Sequence, residues 1–541
     1  MKNKPNVLIL FTDQQRYNTI AHLGYDYMIT PNLDRLAKES CSYVNAISTN
    51  PVCMPARHDL LTGMGGHAHG YYGNSIAPIK DYSLPTLPRI FLNNGYATAA
   101  VGKMHFVPVR EHHGFGEMHL MEELPGHRND DAYATYLEAE GLGGVQNIHG
   151  VRPQIYHIPQ NSQMDEEHCG TPWVAKKTIE WISENKDRPF FLMSSWIQPH
   201  PPWHLPKSYQ DMYKDRDIPE PYPLSRPATF EKGLNGIYGD FDSDELKRKT
   251  REAYYASVSM VDENIGKILD YMEKEKLLDN TLIIFTSDHG EMLQDKGFYS
   301  KALPYDGSVR IPFVVRYPER FAPNTICEDF VDLFDVLPTC LDVCGLEYPG
   351  IKARLQGDSV CASNPTRDRN VICSNFHENA TRWVMARDHE YKYVFRYNGG
   401  HEELYDMKND PMELCNLIAA GSYPRGPYEK LKKDAFEYEA VNIPDSLKPG
   451  GILTGRDTNV GYRTDFTKFP FWANMQVQGF DSRSGQARGE SFVQEMAYAL
   501  DNPNACGFRQ SDVYSNELLE ETLRKTWAEF TDGKVDIKNV Y

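Results

Sequence analysis

Over the first two-thirds of the chain, short β-rich apolar runs alternate with stretches of helical periodicity. That alternation commits the sequence to an α/β domain, because parallel strands need a crossover, usually a helix, between neighbours. Residues 7–11, 97–101, 190–193, 282–285 and 312–315 read as buried strands of a central, largely parallel sheet flanked by helices. Thr30-Pro31 reads as the cap of a helix carrying Leu33 and Leu36, and Thr171-Pro172 as the opening of another. A long helix is expected over 244–278, with Tyr254, Val258, Val261, Ile265, Leu269 and Met272 on one face. After Gly357 the pattern changes: residues 371–375, 382–386 and 391–396 read as consecutive strands of a small antiparallel sheet. From 421 to about 509 there is little periodicity and much Gly, Pro and aromatic content, after which Ser515 caps a last expected helix bearing Leu518, Leu519, Leu523 and Trp527. The expected division is therefore 1–365, 366–420 and an extension over 421–541.

Composition narrows the partners. The 541 residues carry 57 basic and 75 acidic side chains, a net charge of -18, which disfavours nucleic acid and anionic membranes. No apolar run approaches the roughly 18 residues of a membrane span. Lys2-Asn3-Lys4-Pro5 passes straight into a short apolar run with no cleavage site after it, so a cytoplasmic protein is expected, although a chain trimmed of a leader would read the same. The ten cysteines include no CxxC pair and no zinc spacing, and most are expected to be reduced core residues.

Ligands of open α/β sheets bind beyond the carboxyl ends of the strands, so the residues after each expected strand are the first candidates for chemistry. Residues 7–11 lead to Thr12-Asp13-Gln14, and 282–285 lead to Asp288-His289. Residues 97–101 lead to Gly102-Lys103-Met104-His105, and 190–193 lead to His200. Each alone reads as a turn or cap residue; together they bring two Asp, three His and one Lys to one rim. The oxygens of Asp13, Gln14 and Asp288, with His289, suit a hard divalent cation better than zinc. Cys53-Met54-Pro55-Ala56-Arg57, followed by Leu61-Thr62-Gly63, adds a cysteine at a helix start, since Pro55 suits the first turn. A helix N-terminus favours negative charge.

This segment resembles the sulfatase signature C-x-P-x-R…L-T-G. The resemblance runs over about residues 5–418 and includes Thr30-Pro31-Asn32, His69-Gly70, Gly102-Lys103-Met104-His105, His200-Pro201-Pro202, Ser287-Asp288-His289-Gly290-Glu291, Lys301, and Glu403-Leu404-Tyr405-Asp406 with Asn409-Asp410-Pro411. It implies an alkaline phosphatase-like fold. It also implies that a maturation enzyme oxidises Cys53 to formylglycine, and that Asp13, Gln14, Asp288, His289 and residue 53 hold a cation, commonly calcium, with magnesium or manganese as alternatives. Many members carry a second Asp where this chain has Gln14. By the same resemblance the hydrated formylglycine attacks sulfur, Arg57 orients it, and Lys103 and Lys301 clamp the sulfuryl oxygens. His105 is placed as base and His200 as acid on the leaving oxygen, with Asn74 as a further substrate contact. A sulfated saccharide or small sulfate ester is the expected substrate. The rival reading is a phosphonate monoester or phosphodiester hydrolase; such enzymes tend to carry neutral hydroxyl residues in place of Lys103 and His105, and this chain keeps both. A third reading is a binder of sulfated ligands in which Cys53 stays a thiol. The aromatic residues between 203 and 227 and those at 469–472 are candidates for a pocket wall, and the extension for that wall or for contacts between copies.

Overall fold

The apolar runs assemble into one sheet in a computed structural model, which describes residues 4–443 apart from 76, 146, 151–156, 158, 163, 226–243, 349, 377–381 and 398–399. Its strands are β1 (Asn6–Asp13), β2 (Cys41–Ile47), β3 (Ala97–Gly102), β4 (Glu117–Leu120), β6 (Phe190–Pro199), β8 (Thr281–Ser287), β9 (Phe313–Arg316) and β10 (Thr325–Asp332). A two-residue pair, β5 (Gln160–Asn161) and β7 (His204–Leu205), lies apart. The order across the main sheet is β10-β2-β9-β8-β1-β6-β3-β4. All neighbours are parallel except those of β9, which runs against both β8 and β2. The expectation of a strand at 312–315 holds with a shift of one residue. Its direction follows from residues 288–312, which remain at the carboxyl rim of β8, so the chain re-enters the sheet from that rim.

Period-2 alternation divides β1 between two cores. Leu8 and Leu10 face the side covered by α3 (Gly170–Asn185) and α4 (Asp244–Lys274), with Trp173, Trp181, Val258 and Val261. Val7, Ile9 and Phe11 face the side covered by α2 (Cys53–Thr62) and α5 (Val336–Cys344), with Leu60, Leu61, Val336 and Leu337. Burial on both faces leaves β1 without a polar side chain between Asn6 at its start and its carboxyl end, where Thr12 and Asp13 enter the rim.

Some local expectations are corrected. Thr30 does stand before α1 (Pro31–Lys38), but it makes no capping bond; its hydroxyl accepts from the Ala21 N–H and donates to Asp34. Helix α3 starts at Gly170 rather than at Thr171, whose hydroxyl donates to Gln198. Helix α4 stops at Lys274, and Lys276, at φ 59°, turns the chain toward β8, with residues 278–280 in a separate 3-10 turn. Among the described residues no cysteine is in a disulfide; four are buried and five half-buried, so the core reading holds for fewer than half of them.

The small sheet is antiparallel and has four strands rather than three: β11 (Ile372–Phe376), β12 (Trp383–Arg387), β13 (Tyr391–Arg396) and β14 (His401–Asp406). Helix α6 (Arg425–Asn442) packs Leu431 and Ala435 on Val384, Ala386, Tyr393 and Leu404 of this sheet. The aromatic segment 469–472 and the helix expected after Ser515 lie outside the described residues. No helix among the described residues is long and apolar enough to cross a membrane.

Candidate active site

The four strands that the sequence marks as leading to chemistry, β8, β1, β6 and β3, are consecutive in the sheet. Their carboxyl ends therefore open onto one rim. Asp13 ends β1, and Asp288 and His289 directly follow β8. Cys53 is the first residue of α2, after Val52 in extended conformation. A ligand atom from each of Asp13, Cys53, Asp288 and His289 lies within 4.8 Å of all the others, and all four residues are buried. The Cys53 thiol is 3.8 Å from Asp13 Oδ1 and 3.4 Å from His289 Nε2. Nδ1 of His289 faces the Gly290 carbonyl at 3.0 Å, which leaves Nε2 as the nitrogen turned into the cluster.

Arg57, one helical turn after Cys53, binds the two carboxylates together. Its Nη2 donates to Asp13 at 3.0 Å and its Nε to Asp288 at 3.1 Å. Its Nη1 donates to the Lys103 carbonyl and the Ser195 hydroxyl. Lys103 Nζ lies 2.6 Å from Asp13 and also donates to Glu123. Gly102 gives Lys103 its place: at φ 93° a Cβ there would sit 1.9 Å from the Ser195 carbonyl oxygen, the acceptor of the Lys103 N–H.

Gln14, at φ 67°, has its side-chain amide held from both ends. Its NH2 donates to the buried Glu291, and its Oε1 accepts from Lys301 at 3.0 Å. The same ammonium lies 3.0 Å from the Cys53 sulfur. His200 turns Nδ1 toward the Pro201 carbonyl at 2.6 Å and the Glu123 carboxylate at 3.5 Å. His105 is half-buried at φ 58°; its backbone N–H is held by Glu122, and its buried Nδ1 has no hydrogen-bond partner among the described residues. Exposed Asn74 accepts the Met54 N–H at 3.2 Å, so it satisfies a free donor of the first turn of α2.

The charges separate the two carboxylates. Burial alone would raise Asp13, but Lys103, His200, Lys301 and Arg57 outweigh it and hold the group well below the usual carboxylate range. Burial and the neighbouring Asp13 push Asp288 up to about 6. Burial works against a charged His289, and Asp288 more than offsets it, raising that imidazole. Burial and Asp13 would also raise the Cys53 thiol, but Lys301, Lys103 and His289 bring it well below its ordinary value. Burial pulls His200 down to about 3 against the pull of Glu123. Such an arrangement holds anionic oxygen, from a ligand or from a residue at position 53, in a dry, cation-rich recess.

Sequence reasoning missed three partners of these groups, Glu122, Glu123 and Ser195, and gave Glu291, present in the resemblance, no role. Glu122 and Glu123 follow β4, whose residues Glu117-Met118-His119-Leu120 alternate polar and apolar, and that short alternation is the signal that could have found them. A cavity of about 540 Å³ against α3 and α4, lined by Tyr136, His168, Lys176 and Lys267, shares none of the site's residues.

The sulfatase family model matches residues 5–346, and a model described as the C-terminal part of N-sulphoglucosamine sulphohydrolase matches 294–437. An arylsulfatase of Clostridium perfringens is 30% identical, covering 78% of this chain and 91% of its own. A choline-sulfatase of Rhizobium meliloti is also 30% identical, over 80% of this chain and 85% of its own. An N-acetylglucosamine-6-O-sulfatase of Bacteroides thetaiotaomicron is 25% identical, over 82% and 88%. Among solved structures, one in complex with its substrate D-glucosamine-2-N,6-O-disulfate has a TM-score of 0.66 at 23% identity, covering 82% of this chain and all of that one. A phosphonate monoester hydrolase of Silicibacter pomeroyi has a TM-score of 0.67 at 20% identity, over 82% and 97%. With the family model matched over 342 residues and the arylsulfatase matched over nearly its whole length, this chain belongs to the sulfatase family and is a sulfuric ester hydrolase.

Proposed function

We propose that this sulfatase acts on a sulfated saccharide, with Cys53 oxidised to formylglycine by a maturation enzyme and a calcium ion bound beside it. The observation that carries the reading is the buried cluster of Asp13, Asp288, His289 and Cys53, ringed by Arg57, Lys103 and Lys301. The donor set fits a hard cation: two carboxylates, one imidazole, and the amide oxygen of Gln14, which accepts from Lys301, the ammonium that also meets Cys53. Asp13, Gln14, Asp288 and His289 would hold the ion. The Cys53 sulfur stands where an oxygen of the hydrated aldehyde would lie. When bound, the ion and the formylglycine supply a nucleophilic oxygen and the positive charge that favours it.

The chain's own residues do the rest. Arg57 fixes both carboxylates and so the distance between β1 and β8 at the rim. Lys103 and Lys301 provide positive charge at the sulfuryl oxygens, where charge builds during transfer. His200, with Nδ1 occupied, offers Nε2 to the leaving oxygen, and His105 is the base for position 53. Similarity to the N-acetylglucosamine-6-O-sulfatase supports a saccharide substrate. Lys103 and His105 favour sulfate over phosphonate.

The test is sulfate release from glucosamine 6-sulfate, 4-nitrophenyl sulfate and choline sulfate, beside an aryl phosphonate, with calcium or manganese. Saccharide sulfate with calcium is expected to turn over fastest. Fastest cleavage of the phosphonate would reject the sulfatase reading of the site. A tryptic peptide carrying residue 53 as a thiol, with no turnover after coexpression with a maturation enzyme, would point to a binder.

A further inference from the structure

Two acidic residues directly after β4 reach into the rim from its far side. Glu122 accepts the N–H groups of Met104 and His105, at 2.8 and 3.1 Å, and so fixes the backbone of the segment that carries Lys103 and His105. Glu123, buried to 5% exposure, has a different reach. It accepts from Lys103 Nζ and lies 3.5 Å from Nδ1 of His200. The carboxylate thus links Lys103, which is on Asp13, to the imidazole on β6's carboxyl end. Nδ1 of His200 is faced by two acceptors, the Pro201 carbonyl and Glu123, so it keeps its hydrogen, and proton exchange is left to Nε2. A carboxylate behind an imidazole favours the imidazolium that can donate from the opposite nitrogen.

We propose that Glu123 is a positioning residue for leaving-group protonation: it holds His200 with Nε2 directed to the departing oxygen and tethers Lys103 so that its charge is shared between Asp13 and the substrate side. This rests on the sulfatase reading above. As the S–O bond breaks, its electron pair passes to the departing oxygen, and that oxygen takes the Nε2 proton of His200 in its imidazolium form, the form that Glu123 favours; the imidazole is left neutral and Glu123 unchanged. Burial opposes a charged His200, and Glu123, with Asp13 beside it, pulls the other way.

Acid assistance matters in proportion to the basicity of the leaving oxygen, which separates this role from a merely structural one. Glu123→Gln keeps the volume and a hydrogen-bond acceptor for Lys103 but removes the charge. On 4-nitrophenyl sulfate, whose leaving group departs readily unprotonated, kcat is expected to fall about 10-fold or less. On phenyl sulfate, kcat is expected to fall by about 10² or more, within the range of general acid catalysis. KM should change little on either ester, and bound metal, measured by elemental analysis, should match the parent. Glu123→Asp keeps the charge with a shorter reach and is expected to recover part of the phenyl sulfate rate; it also serves if the Gln variant fails to fold. Equal losses on both esters in either variant would overturn the proposal. A parent enzyme that releases sulfate from neither ester nor from glucosamine 6-sulfate would instead overturn the sulfatase reading, so the two failures are distinguishable.

Discussion

Removing Arg57 should unsettle the protein before it affects catalysis, and the structure gives the scale. The guanidinium is 1% exposed and contacts two carboxylates that are wholly buried, at 3.0 and 3.1 Å. Breaking a buried pair by deleting one partner costs roughly 3–5 kcal/mol, because the remaining charge stays buried without its counterion. The loss is not shared equally. Asp13 keeps the Lys103 ammonium at 2.6 Å, whereas Asp288 keeps the backbone N–H groups of Gln14 and His289 and the imidazole of His289, 3.5 Å away. Asp288 already sits at about 6 with Arg57 present, so without it the carboxyl moves higher still and is partly protonated at pH 7. Arg57→Ala, denatured with urea in the presence of a chelator, is therefore expected to lose about 3–5 kcal/mol relative to the parent. Adding calcium should recover more stability in the variant than in the parent, because the ion replaces the missing positive charge between the carboxylates. The measurement needs neither substrate nor oxidation of Cys53. A variant that unfolds within about 1 kcal/mol of the parent in chelator would refute the reasoning, since surface-like pairs are worth that little.

Two further outcomes follow from local geometry. Gly102→Ala places a Cβ 1.9 Å from the Ser195 carbonyl oxygen at φ 93°, so a left-handed penalty of about 1–2 kcal/mol adds to overpacking of about 1–3 kcal/mol. A urea midpoint unchanged from the parent would contradict that, and turnover should fall as well because Lys103 moves with the shifted backbone. His58 and His113 are buried, and burial pulls each down to about 3, below an ordinary value near 6.5. The unfolded chain takes up protons at these positions first, so stability present above pH 6.5 is lost as pH falls toward 3, by about 1.4 kcal/mol per pH unit for each histidine. Replacing His58 by Gln should flatten the measured stability-against-pH slope between pH 6 and 4 by about that amount, and an unchanged slope would show that His58 is protonated in the folded protein.

The architecture was legible where one physical signal dominates. Central strands buried on both faces must be apolar throughout, which made residues 7–11 and 282–285 visible and placed Asp13 and Asp288 beyond them. Three strands at or beside the sheet's edges, β2, β4 and β10, were not read from the sequence. In β10 the side chains of Ile326, Glu328 and Asp329 are exposed, charges that protect an edge and erase the alternation used to find it. The fourth strand of the small sheet, β14, runs His401-Glu402-Glu403-Leu404-Tyr405-Asp406 without clean alternation, since Glu402 and Glu403 serve Tyr393, Lys432 and Arg396 instead of a solvent face. The starts of α1 and α3 were placed to within a residue, but not their caps: Thr30 and Thr171 have the residue type of caps, and their hydroxyls are used by other partners.

The site divides along the same line. Residues that must stand at a strand end or a helix start, such as Asp13, Cys53, Lys103 and Asp288, are marked by their position in a local pattern. Those that act on other side chains carry no such mark, and Glu122, Glu123 and Glu291 are three acidic residues among 75 Asp and Glu. Yet these set the working charges. Four cationic or basic groups, Arg57, Lys103, Lys301 and His289, crowd around Cys53, and Asp13 and Asp288 alone would leave Lys103 fully committed to Asp13. Glu123 draws the Lys103 ammonium from its other side, while Glu291 takes the amide NH2 of Gln14 and so turns its oxygen toward Lys301. A carboxylate at position 14 would repel Glu291, whereas an amide presents a donor to it and an acceptor to the rim. Gln14 and Glu291 are therefore one unit, and a Gln14→Asp change that ignores Glu291 places two acids against each other in a dry recess.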